Sequence, residues 1–215
     1  MTAPPVAELE EAVVLTGGFP VLAGVTLRLE PATLTVIVGA NGAGKTSLLR
    51  LLGGLDPLSR GRGVVAGVDL AHGDRRVLRR RVGWLGHEGS FYDDLSVEEN
   101  LHFACRALNR PFTDVAPALA RVGLAERSRT TTRQLSAGQR RRLALAWLLV
   151  RRPEIWLLDE PYASLDDDGR ALLDELLVDV VAAGATVVAS AHDPLRTTQT
   201  RRTLTLAGGR VVAAS

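Results

Sequence analysis

The run Gly39-Ala40-Asn41-Gly42-Ala43-Gly44-Lys45-Thr46 constrains this chain more than any other segment. It fits G-x-x-x-x-G-K-[ST] without a mismatch. Such a run has a purpose in one setting, where a buried strand enters it and a helix leaves it. Both flanks are legible: Leu34–Val38 is a short apolar run, and Lys45–Leu52 has helical spacing. Glycine lets the backbone turn tightly and bring several N–H groups close to phosphate oxygens. The following helix directs its positive end at the same point. The expectation is a MgATP site with Lys45 reaching the β- and γ-phosphates, the Thr46 hydroxyl on Mg²⁺, and Ser47 completing the binding set. The alternative, a glycine-rich turn that binds nothing, leaves one fact unexplained. Lys45 is the only lysine in the chain, and every other fixed cation is Arg. Position 45 therefore asks for a compact ammonium on a flexible stem rather than a planar fork.

A second apolar run, Ile155–Leu158, ends in Asp159 and Glu160. At the carboxyl end of a strand, Asp159 would meet Mg²⁺ directly or through water. Glu160 comes where the strand ends and alternation no longer fixes its direction. It could act as general base on a water in line with the γ-phosphate, or polarise that water. Without a phosphate loop nearby, the two acids would read as a solvated pair before Pro161. Leu135-Ser136-Ala137-Gly138-Gln139 opens the helix that leads to this strand. Ser136 and Gly138 at a helix start suit a second anion site, or an ordinary cap.

A third apolar run, Ala185–Ser190, completes a set of strands buried on both faces. Helical segments 136–150 and 169–183 precede the second and third runs, so the fold class is α/β with a mostly parallel sheet. Glu8–Val14, Val25–Glu30 and Gly63–Val68 suggest a small antiparallel sheet near the N-terminus. Thr203–Leu206 and Val211–Ala213, joined by Gly208-Gly209, read as a hairpin. Residues 87–134 contain no clear strand and have helical segments at Val97–Leu108 and Val115–Val122. They read as a helical insertion in a single domain spanning 1–215.

Composition excludes several classes. Nearly half of the residues are apolar, which argues against whole-chain disorder. The formal charge is +2, too small to argue for nucleic-acid binding by itself. Arg75, Arg76, Arg79, Arg80 and Arg81 form the one local basic cluster, and a solvated helix face is the simpler account of it. The single Cys105 permits no intrachain disulfide and reads as a small buried hydrophobe. The first 14 residues lack the basic and apolar regions of a secretory leader. The longest apolar run, Leu143 to Val150, is far short of the roughly 20 residues a membrane-spanning helix needs.

The order of phosphate loop, LSAGQ and a strand ending in two acids resembles the ATP-binding subunits of ABC transporters over nearly the whole chain. Ser136–Gln139 looks like that family's signature, with Ala137 replacing a glycine, and Ala163-Ser164-Leu165-Asp166 looks like its D-loop. The resemblance implies an ABC-type P-loop NTPase core, in which two copies pack head to tail. The phosphate loop of one copy and Ser136, Gly138 and Gln139 of the other would sandwich ATP. His192 would contact the γ-phosphate as the switch histidine. His87 stands where the family usually has a glutamine that contacts Mg²⁺ and water. Thr16 falls near the usual place of the adenine-stacking aromatic, and Phe19 is the nearest ring. The Leu85-Gly86-His87 segment and the Trp156–Pro161 run are most similar to the CcmA group, which serves haem export in cytochrome c maturation. The implied partners are an identical or paired ATPase subunit and an integral, CcmB-like permease. The implied location is the cytoplasmic face of the membrane, held there by the permease. Two other readings stand beside it: the ATPase of an exporter with different cargo, and a soluble ABC ATPase acting on nucleic acid or ribosomes. The second lacks the paired domains or long coiled coils usual in such proteins, and no nucleic-acid partner is expected. A nucleotide-binding module without catalysis would not need Glu160 and His192.

Overall fold

A computed structural model describes residues 4–86, 91–191 and 201–214. Its centre is a six-stranded sheet in the order β10-β9-β3-β8-β7-β6. The strands are β3 (Leu34–Val38), β6 (Val82–Leu85), β7 (Ile155–Asp159), β8 (Thr186–Ser190), β9 (Arg201–Ala207) and β10 (Arg210–Ala214). All pairings are parallel except the terminal β9–β10 hairpin. Every residue of β7 and β8 is buried. Both faces of the sheet are therefore covered, which explains why these strands read as continuous apolar runs.

Alternate residues of the central strands feed two cores. Ile37, Ile155, Leu157 and Val188 face a cluster containing Leu48, Leu49, Leu51 and Leu52 of helix α1 (Lys45–Leu52). Val36, Trp156, Leu158, Val187 and Ala189 face a cluster that includes Leu143 and Leu145 of α5 (Ala137–Arg151) and Leu173 and Leu177 of α6 (Asp167–Ala182). The first core is closed from outside by a four-stranded antiparallel sheet in the order β2-β1-β4-β5. It comprises β1 (Ala7–Thr16), β2 (Phe19–Leu29), β4 (Arg60–Val65) and β5 (Val68–Asp69). Between β6 and β7 lie α3 (Val97–Leu108) and α4 (Val115–Arg121), packed against α5. Ser96 caps α3 through a reciprocal box with Glu99, which fixes where that helix begins.

Three features differ from the sequence reading. Gly63–Val68 is not one strand: β4 ends at Val65, the chain turns at Ala66-Gly67, and β5 begins at Val68 and pairs back antiparallel. Val82–Leu85 is a strand, parallel to β7, at the edge of the central sheet. Its four residues include Gly83, where a side chain would strike Leu148 and Pro153, so close packing rather than strand propensity dictates the residue. The β1–β2 hairpin is also longer than expected, because β2 begins at Phe19 rather than Val25. The arginine cluster lies on α2 (Arg75–Arg81), where Leu78 is the buried residue.

Leu157 is fully buried beneath Gly53, at the end of α1. Leu157→Ala is expected to destabilise the protein by about 2–5 kcal/mol. Urea unfolding would show this as a lower midpoint with an unchanged slope.

Candidate functional site

The carboxyl ends of β3, β8 and β7 lie side by side, and strand register brings Asp159 opposite Ser190 and Ser190 opposite Ile37. The loop 39–44 leaves β3 at this edge. Ala40, Asn41 and Gly42 are exposed, whereas Ala43 is buried. Gly44, the N-cap of α1, has φ 102°, and a side chain there would come within 2.8 Å of the Val21 carbonyl of β2. Both the conformation and the crowding require glycine. Gly39 is equally enclosed, 2.3 Å from the Leu206 carbonyl at its missing Cβ. Ala43 accepts a hydrogen bond from Gly209 N–H, 3.1 Å away. The phosphate loop is therefore clamped between β2 and the β9–β10 turn.

Lys45 is 7 % exposed, and its ammonium donates to the carbonyls of Gly39 (2.7 Å) and Ala40 (3.1 Å). The side chain is thus folded back over its own loop. One residue on, Thr46 Oγ1 donates to Asp159 Oδ2 at 2.8 Å, joining positions 113 apart in sequence. Ser47 is half-buried in the first turn of α1. Asp159 is 2 % exposed, and its other oxygen accepts a 2.6 Å bond from Ser190 Oγ. Ser190 Oγ in turn accepts from the backbone N–H of Glu160 at 2.9 Å. Glu160 takes φ 46°, the left-handed region that a side chain enters at a cost of roughly 1–3 kcal/mol. The strand therefore ends in a turn that rotates Glu160 out of the β7 alternation.

Ser136 caps α5: its Oγ accepts from Gln139 N–H (3.2 Å), and the Gln139 side chain accepts from Ser136 N–H (3.0 Å). Gly138 is pressed against the Ser164 carbonyl, 2.9 Å from where its Cβ would stand. Ala137 is exposed, so the methyl group at that position meets nothing that requires glycine within the chain. Ser136, Gly138, Gln139, Arg142, Ser164 and Asp166 line a cleft of about 330 Å³. The Asp166 carboxyl is held below the usual range, first by the Gly169 N–H and then by Arg142. None of residues 39–46 lines this cleft, so within one chain the cleft and the loop 39–46 are separate surfaces.

His87 and His192 lie outside the described residues. Phe19 is 77 % exposed at the tip of the β1–β2 hairpin, so it is not a core residue. Two residues at the site were not singled out from sequence. Ser190 joins Asp159 to Glu160, and its only sequence signal is a small polar residue closing an apolar strand. Arg141, 6 % exposed, donates its guanidinium bonds to backbone carbonyls around Glu160.

Residues 22–163 match the model of the ABC transporter family. The chain belongs to that family. ABC proteins of this type bind and hydrolyse ATP, and this chain is an ATPase. Its relatives include the cytochrome c biogenesis ATP-binding export protein CcmA of Xanthomonas axonopodis pv. citri, 39 % identical over 89 % of this chain and 88 % of the relative. CcmA of Rhodopseudomonas palustris strain BisB5 is 41 % identical over 83 % of this chain and 88 % of the relative. Among solved structures, an ATP-binding subunit of an ABC transporter superposes with a TM-score of 0.89 at 24 % identity, covering 98 % of this chain and 89 % of that one. The ATP-binding cassette MJ0796, a dimer bound to ADP and phosphate, superposes with a TM-score of 0.85 at 24 % identity, covering 97 % of both chains. The ABC fold thus extends beyond the segment matched by the family model.

Ser190→Ala removes the hydroxyl that satisfies both Asp159 and the Glu160 N–H. It is expected to cost about 1–3 kcal/mol of stability. It should also lower the ATP turnover number more than it weakens ATP binding, as measured by steady-state hydrolysis and calorimetric titration.

Proposed function

We propose that this chain is a single ATP-binding domain that drives a separate membrane permease in haem export for cytochrome c maturation. The observation that carries the catalytic part is the row formed by Thr46, Asp159, Ser190 and Glu160 beside the phosphate loop. The export and cytochrome parts rest on the relatives, which are named for that process. In this reading the N–H groups of Gly39–Ser47 and the Lys45 ammonium hold the phosphates. Lys45 would exchange its two carbonyl partners for phosphate oxygens, which attract its charge more strongly.

Thr46 and Asp159 offer a hydroxyl and a carboxylate oxygen 2.8 Å apart, hard donors of the type Mg²⁺ takes. Phosphate oxygens, water and His87 would supply the remaining ligands. Bound there, Mg²⁺ would neutralise charge on the β- and γ-phosphates. Glu160 orients or deprotonates the attacking water, with His192 at the γ-phosphate and His87 as a further metal contact.

The separation of the Ser136–Gln139 cleft from residues 39–46 supports a composite site made by two copies head to tail. Ser136 uses oxygen lone pairs for its cap, which leaves its O–H to donate to a phosphate from the partner. No helix among the described residues is long and apolar enough to cross a membrane. Contact with a CcmB-like permease at the cytoplasmic face is assigned to the insertion 87–134. Tyr92 and Phe103 there are 53 % and 44 % exposed, with ring centroids 5.0 Å apart, and exposed aromatic pairs suit a docking surface.

Glu160→Gln is expected to lower ATP turnover by about 100-fold or more while ATP-bound dimers accumulate on size-exclusion chromatography. Turnover at the wild-type rate would remove Glu160 from the catalytic role. Deletion of the gene in its own host is expected to abolish covalent haem staining of c-type cytochromes, with restoration by the wild-type gene but not by the Glu160→Gln gene. An unchanged stain would assign the ATPase to an exporter with other cargo.

A further inference from the structure

Arg141 lies on α5, five residues after the Ser136 cap, and is 6 % exposed. Its Nη2 donates to the carbonyls of Asp159 (2.9 Å) and Glu160 (2.7 Å), and its Nε donates to that of Pro161 (3.3 Å). Its Nη1 donates to the carbonyl of Gly86, the residue that follows β6. One planar fork therefore collects three successive carbonyls at the end of β7 and a fourth from the end of the neighbouring strand.

Burying a guanidinium costs several kcal/mol unless its donors are satisfied. Burial pushes the Arg141 pKa down to about 10, with the nearby charges of Asp159 and Glu160 working the other way. The group is still charged at neutral pH, so all of these bonds are charge-assisted. An apolar side chain at this position would remove these charge-assisted bonds, although the Glu160 carbonyl also accepts from the Ala163 N–H at 3.0 Å. The turn these carbonyls belong to is also strained, because Glu160 sits at φ 46°. A residue in that region persists only where its surroundings over-determine it. The Ser190 bond to the Glu160 N–H fixes one side of the peptide chain, and Arg141, with the Ala163 N–H, fixes the carbonyl side.

We propose that Arg141 is a positioning residue for ATP hydrolysis: its guanidinium locks the Asp159–Pro161 turn against Gly86 and so sets the direction of the Glu160 side chain. This rests on the assignment of Glu160 as the residue that acts on water. Arg141 itself touches backbone, so its removal acts on the rate through Glu160 and leaves the phosphate loop intact. Lysine keeps the charge but loses the fork, and glutamine keeps a planar donor pair without the charge.

The test uses the full chain with Arg141→Lys, Arg141→Gln and Arg141→Met, each alone and combined with Glu160→Gln. Melting temperature identifies the folded variants. A non-hydrolysable ATP analogue gives the dissociation constant, and single-turnover hydrolysis gives the rate. In folded Arg141→Lys the rate is expected to fall about tenfold or more, as misplacement of a reacting group by under 1 Å can do. The analogue's dissociation constant should stay within about threefold, since that change is near the scatter of a purely local effect. Arg141→Gln should recover part of the rate relative to Arg141→Met. With Glu160 already replaced, Arg141→Lys should slow hydrolysis no further, as expected for residues that act as a unit. The proposal is overturned if the rate is retained in Arg141→Lys, if binding weakens in parallel with rate, or if the two substitutions multiply. Unimpaired hydrolysis by Glu160→Gln alone would instead overturn the Glu160 assignment.

Discussion

The buried carboxylate of Asp159 is the constraint around which the site is arranged. A charge at 2 % exposure is tolerable only where its oxygens are satisfied, and here Thr46 and Ser190 each supply a hydroxyl. Those hydroxyls come from the first turn of α1 and the last residue of β8. Both can reach Asp159 because β3, β8 and β7 run parallel and end at one edge. Parallel pairing thus has a chemical consequence: it gathers the ends of three strands that are far apart in sequence. Ligand sites in open α/β sheets fall at the carboxyl ends of strands for this reason.

From that point the supporting structure can be followed outwards. The phosphate loop is held by β2 through the crowding at Gly44 and by the β9–β10 turn through Gly209. The antiparallel sheet therefore has two roles, closing the core over α1 and bracing the loop that precedes it. On the other side, α5 opens with the Ser136–Gln139 box and carries Arg141 into the back of the site. The same helix that opens the Ser136–Gln139 cleft also grips the backbone of Glu160.

Much of this was legible in the sequence, for identifiable reasons. Leu34–Val38, Lys45–Leu52 and Val97–Leu108 are each found with the boundaries their patterns indicate, because burial on both faces and helical spacing leave strong local signatures. Val82–Leu85 was not legible, since four residues containing glycine carry little periodicity and the strand forms through pairing with Ile155–Leu158. Ser190 and Arg141 escaped for a related reason. Their partners lie 31 positions away for Asp159 and Ser190, and 18 to 20 for Arg141 with Asp159, Glu160 and Pro161. No spacing rule along a single element reports such contacts. The positive φ of Glu160 is likewise a product of the fold, because an ordinary residue at a strand end gives no sign of it.

The most direct measurement is ATP affinity with and without Mg²⁺ for the wild-type chain and for Asp159→Asn, a near-isosteric change that removes the charge. If Thr46 and Asp159 form the metal side of the nucleotide site, Mg²⁺ should strengthen ATP binding by about tenfold or more in the wild type and have little effect in Asp159→Asn. An equal Mg²⁺ effect in both folded proteins would contradict the account, because the metal would then be held without the carboxylate around which the site is built.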